Sequence, residues 1–127
     1  LLDRHAFAGA ADAFRESLRL QAGDAQTLYW LGRALMGQGD WGGASDAFSE
    51  AAELTPEDAE AFADLGLVLM VRGDLAGAGG ALRTAIRLNP NHANAHHLLD
   101  TLREFRDDPE EVARSARQIL RTLFQRE

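Results

Sequence analysis

The chain repeats itself at a fixed interval. "MGQGDWGGA" runs from Met36 to Ala44, and "MVRGDLAGA" runs from Met70 to Ala78, 34 residues later. Sliding the sequence by that interval pairs Leu28, Leu31, Gly32, Leu35, Gly39, Asp40, Trp41, Ala44, Phe48, Ala51 and Pro56 with Phe62, Leu65, Gly66, Leu69, Gly73, Asp74, Leu75, Ala78, Leu82, Ala85 and Pro90. Self-similarity at a period of about 20–50 residues marks stacked units, none of which buries its apolar face alone.

Within a unit the apolar residues recur at three or four positions, as in Leu28, Leu31, Leu35 and then Ala44, Phe48, Ala51, so each unit is two helices of about a dozen residues. Gly39 and Gly73 suit the left-handed conformation that ends a helix, and Asp40 and Asp74 suit the cap that begins the next. "TPED" from Thr55 and "NPNH" from Asn89 each read as a cap followed by Pro in the first helical turn. Gly32 and Gly66 are expected to face Ala44 and Ala78 at close helix approaches. Gly77 and Gly80 weaken the helix after Asp74, and replacing either with Ala is expected to stabilise it.

These residues resemble the tetratricopeptide repeat: a large apolar residue, Leu-Gly, a Gly-Asp turn, Ala, an aromatic, Ala and Pro at a period of 34. The match runs over Ala25 to Asp58 and Ala59 to His92. Upstream, residues 1–24 read as part of a preceding unit, with Phe7, Ala10, Phe14 and Leu20 on its second helix and Leu1 and Leu2 at the end of its first. A chain cut from a longer array is therefore expected. Downstream, residues 93–127 read as a degenerate repeat or capping helices: Leu98, Leu99 and Leu102 keep the spacing, but Asp100 replaces the small residue and "RDDPEE" replaces Gly-Asp. Asp108, Pro109 and Glu111 start a last helix, whose stripe of Val112, Ala116, Ile119, Leu120, Leu123 and Phe124 lies opposite Arg114, Arg117 and Arg121. This helix reads as a cap, a docking helix for a partner being the alternative. The expected fold is all-α, one domain of antiparallel helix-turn-helix repeats stacked as a right-handed superhelix of about seven helices.

Composition narrows the function. The 127 residues carry 20 acidic and 13 basic side chains, a formal charge of -7, which repels phosphate backbones and argues against nucleic acid. There is no Cys, and no apolar run long enough to insert in a membrane. A cytoplasmic location is expected, with a periplasmic or membrane-anchored parent protein left open. No basic residue lies between Arg33 and Arg72, while Asp40, Asp46, Glu50, Glu53, Glu57, Asp58, Glu60 and Asp64 accumulate there. This block reads as a solvated outer face, the alternative being a docking surface for a basic partner. No catalytic residue, cofactor site or metal site is assigned. His92, His96 and His97 lack a further ligand nearby, and the "RGD" at Arg72 is accounted for by the helix joint.

The resemblance implies a concave groove lined by the first helix of each unit and holding a peptide or helix of another protein. Its positions carry over to Gln26, Tyr29, Arg33 and Met36, to Glu60, Ala63, Leu67, Met70 and Val71, and to Asn94, His97, Thr101 and Glu104. Tyr29, Arg33, Met36, Ala63, Leu67, Met70, His97 and Thr101 are the partner-binding candidates. The Lys, Asn and Arg clamp with which some family members hold acidic chaperone tails is absent apart from Arg33. The expectation is a non-enzymatic interaction module, in which Leu67→Glu weakens partner binding without loss of helix. Two alternatives are self-assembly through an apolar face around Phe7 and Phe14, and a regulatory or targeting domain of a larger enzyme.

Overall fold

The computed structural model describes residues 4–21 and 23–125. The residues Leu1 and Leu2 lie outside them. Seven α-helices occupy the described residues: α1 (Arg4–Leu20), α2 (Ala25–Gln38), α3 (Trp41–Leu54), α4 (Ala59–Arg72), α5 (Leu75–Leu88), α6 (Ala93–Glu104) and α7 (Pro109–Gln125).

The two full repeats are the hairpins α2–α3 and α4–α5, and they share one construction. Gly39 and Gly73 sit at φ 90° and 84°, where only glycine is relaxed, and turn the chain out of α2 and α4. One residue on, the carboxylates of Asp40 and Asp74 accept from the amides of Gly43 and Gly77, both at 2.9 Å, and open α3 and α5. The proline motifs work differently from the sequence expectation. Thr55 and Asn89 close α3 and α5, the prolines lie in the connecting turns, and the caps of α4 and α6 are Asp58 and His92.

Between paired helices the small positions are occupied by a large side chain from opposite. A Cβ on Gly32 would lie 2.7 Å from the Phe48 ring, and one on Gly66 would lie 2.6 Å from Cγ of Leu82, with the Ala78 carbonyl oxygen at 3.5 Å. The partner across Gly66 is thus chiefly Leu82 rather than Ala78. Adjacent hairpins stack α4 on α3, where the Arg72 guanidinium also donates to Ser45 Oγ at 2.7 Å.

Gly77 corrects a further expectation. A Cβ there would stand 2.5 Å from the capping carboxylate of Asp74, whereas a Cβ on Gly80 meets nothing within 4 Å. Gly80→Ala should therefore raise stability by about 0.5–1 kcal/mol. Gly77→Ala should gain nothing or lose stability, because the cap must rotate away to admit the methyl group. Urea midpoints of the two variants check this, and equal gains would mean the Asp74 cap contributes little.

The third helix pair does not form a hairpin. At the positions where α2 carries Leu28, Gly32 and Leu35, and α4 carries Phe62, Gly66 and Leu69, α6 carries His96, Asp100 and Arg103, all exposed. A helix packed there would bury unpaired polar groups. The joint also lacks a left-handed glycine: Phe105 ends α6 at φ -110°, and the Asp108 amide closes a turn onto the Phe105 carbonyl at 2.8 Å. Asp108 accepts from the Glu111 amide at 3.2 Å, but the Glu111 carboxylate pairs with Arg114 rather than completing a reciprocal capping box. The chain swings α7 away from α6 and lays it on α4, on the side of the array formed by α2, α4 and α6. Its stripe is buried there: Val112, Ala116, Leu120 and Phe124 join one core with Met36, Leu67 and Met70.

Candidate functional site

The first helices of the units, α2, α4 and α6, form one face of the array. In α7 that face already has an occupant over half its length. Phe124 reaches the far end, where its ring meets Phe7 of α1 edge-on at 5.0 Å and lies 5.3 Å beneath the Arg33 guanidinium. Phe7 in turn lies against Gly37, where a Cβ would be 2.7 Å from its ring. Arg117, Leu120 and Arg121 line a cleft with Met36 and Gly37. On the α6 side, Ser115, Gln118, Ile119 and Thr122 border a cavity of about 310 Å³ with His97, Thr101 and Phe105.

The eight groove candidates accordingly fall into different settings. Met36, Ala63, Leu67 and Met70 are 1%, 2%, 1% and 0% exposed and belong to the core that α7 completes. Thr101 is buried, and its hydroxyl donates to the His97 carbonyl of its own helix. His97 is exposed. Tyr29 and Arg33 converge on a residue that sequence reasoning missed, the buried Asp64. The Tyr29 hydroxyl donates to Asp64 Oδ2 at 2.6 Å, and Arg33 Nη1 stands 3.8 Å from the same oxygen. Asp64 was legible only as one member of an acidic block, because its repeat mates, Trp30 and Leu98, give no hint of a buried carboxylate.

Burial dominates the electrostatics of this triad. It pushes the Asp64 carboxyl up to about 6 from 3.8, while the Tyr29 hydroxyl and Arg33 pull the other way. Tyr29 is held above its ordinary value by burial first and by the Asp64 charge second. A carboxyl raised in the folded state contributes stability that is full below its unfolded value near 3.8 and is lost as pH climbs through about 6. Relative to Asp64→Asn, the native chain should thus lose on the order of 2 kcal/mol between pH 4 and pH 7. Parallel thermal melts across that window check it, and superimposable pH profiles would place the carboxylate in a better solvated setting.

A second polar link joins neighbouring units. His92 Nδ1 accepts from the Ala95 amide at 3.0 Å, so the proton sits on Nε2, which donates to Glu60 Oε1 at 2.6 Å. His96 Nε2 is engaged with the Pro90 carbonyl oxygen at 2.7 Å. Each of these two rings therefore has a structural role within the α5–α6 connection and its neighbour α4.

Beyond the reach of α7, the beginnings of α2, α4 and α6 remain open. Gln26, Trp30, Glu60 and Asn94 are exposed there, and a cavity of about 320 Å³ lies between the start of α2 and the α3–α4 turn. No helix among the described residues is long and apolar enough to cross a membrane.

The architecture has solved counterparts. MamA superposes with a TM-score of 0.77 at 26% identity, over 84% of this chain and 62% of MamA. A mutant O-GlcNAc transferase of Thermobaculum terrenum superposes with a TM-score of 0.68 at 26% identity, over 73% of this chain and 18% of the transferase. The chain thus spans less than two thirds of either. No curated protein sequence matches it. The tetratricopeptide repeat profile matches residues 1–44 and 29–93, so that the Gly-Asp joints, the small-to-large helix contacts and the stacked hairpins have one common origin: the chain belongs to the tetratricopeptide repeat family.

Proposed function

We propose that this chain is a non-catalytic interaction module that binds a segment of another protein along the half of its concave face left open by α7. Tetratricopeptide repeats are in general protein-interaction scaffolds, and the open half is where this one still offers side chains to a partner. The observation that carries the reading is the division of the face. Met36, Leu67 and Met70 of α2 and α4 are at most 1% exposed, whereas Gln26, Glu60 and Asn94, at the starts of α2, α4 and α6, are exposed. The apolar half acts as a rigid floor that holds the three helix starts at fixed spacing, and the polar half supplies recognition.

Self-assembly through α1 has less surface to work with, because Phe7 is already engaged by Phe124 and Gly37. A photoreactive benzoyl-phenylalanine at Gln26 or Asn94, compared with one at Glu53 or Arg87 on the second helices, tests the proposal in extract from the source cells. Discrete protein adducts should form from the first pair only. Adducts confined to the second pair, or consisting solely of the chain itself, would overturn it.

A further inference from the structure

We infer that the open half of the concave face carries a subsite for an arginine side chain, and that the segment bound there is basic. The inference rests on the reading that a partner lies along this half. It starts from Trp30, a large aromatic left 45% exposed on the face of the array. The repeat does not require it: the residues one and two periods later, Asp64 and Leu98, are both buried. Trp30 lines the cavity of about 320 Å³ together with Gln26, Tyr29, Asp58 and Glu60. The Tyr29 ring meets Trp30 edge-on at 5.3 Å, and Tyr29 is itself fixed by its bond to Asp64. The indole is thus braced from one side with much of its surface still open.

Charge sets what fits. Among the described residues, the cavity is bordered by two carboxylates and by no basic residue. Asp58 is partly spent on capping, since its Oδ1 accepts from the amides of Glu60 and Ala61. Glu60 gives one oxygen to Nε2 of His92, whose Nδ1 already accepts from the Ala95 amide, and its side chain stays 57% exposed. Arg33 does not supply the missing charge, because it stands beside Asp64 and over Phe124. An acidic segment would be repelled here, and a purely apolar one would strip water from Glu60 without return. A guanidinium answers both features: its flat face stacks on indole and its edge donates to a carboxylate. The run from Arg33 to Arg72 without a basic residue leaves the described lining of this cavity without an internal competitor for the guanidinium.

The test uses the full chain and a tetra-arginine peptide, with tetra-glutamate as control, read by NMR at the indole N–H of Trp30, with Trp41 as the internal reference. The Trp30 signal should shift and saturate while Trp41 stays in place, and tetra-glutamate should move neither. Trp30→Leu, which leaves every charge intact and is compared with the native chain by titration calorimetry, should weaken binding at least about threefold, the scale of an exposed cation–aromatic contact. Glu60→Gln should weaken it as well while keeping an acceptor for His92, and Glu53→Gln on α3 should not. Unchanged affinity in Trp30→Leu would reduce the interaction to diffuse attraction by an acidic chain and overturn the subsite. Partner crosslinks from Gln26 together with no saturable arginine binding would leave the concave-face reading standing and refute this inference. Loss of both would refute the two together.

Discussion

Leu67→Glu should cost the fold about 4 kcal/mol or more, and in a domain of this size that is enough to unfold much of the population at ordinary temperature. The sequence suggested a milder outcome, with helix content preserved and only partner binding reduced. The difference is α7. Leu67 is 1% exposed, within a core that α7 completes, so the new carboxylate is taken out of water. Leu67→Met, of similar volume, should cost less than about 1.5 kcal/mol. Circular dichroism melts of the two variants make the comparison. A Leu67→Glu chain with native helix content and an unchanged midpoint would mean that α7 does not close this face.

Gly66→Leu should destabilise by about 1–3 kcal/mol or more, through overpacking rather than buried charge. The first atom added already stands 2.6 Å from Leu82 Cγ, and the remaining three have nowhere to go without separating α4 from α5. Gly42→Leu is the matched control, since a Cβ there meets nothing within 4 Å and the helix gains a better former. It should be neutral or stabilising. Equal midpoints for the two leucine variants would contradict the close approach of α4 and α5.

The two full repeats were legible almost to the residue because each of their signals has a local cause. A glycine at positive φ, a carboxylate one residue later and a large side chain facing a glycine are decided within a few turns of chain, and they recur at a fixed period. The fate of α7 is not local. Its sequence announces an amphipathic helix with a capped start, and that helix forms, but nothing within Pro109–Gln125 says which surface its stripe will cover. The signal lay elsewhere, in His96, Asp100 and Arg103, which make the hairpin face of α6 too polar to bury. Read together with the missing glycine at the joint, they would have predicted that α7 leaves its own partner helix.

The candidate site was legible to the same degree. Register alone selected the helices that form the face and the positions on them. It could not separate positions that α7 covers from those it leaves free. Nor could it see Asp64, whose importance comes from Tyr29 and Arg33 reaching it across 35 and 31 residues of sequence. Trp30 escaped notice for the opposite reason, as an exposed aromatic at a position the repeat leaves unspecified.

The meeting of Phe7 with Phe124 also changes how the molecule should come apart. A row of stacked repeats joined only to its neighbours can fray from either tip, each unit peeling away at the expense of one junction. Here the last helix returns across the middle of the row and touches the first, which ties the row into a ring. Loosening of α1 has to break this tie as well as its junction with α2, so loss of α7 from its seat is expected early in melting. The thermal behaviour of the array should therefore depend on how firmly Val112, Ala116, Leu120 and Phe124 seat α7, as well as on its weakest repeat.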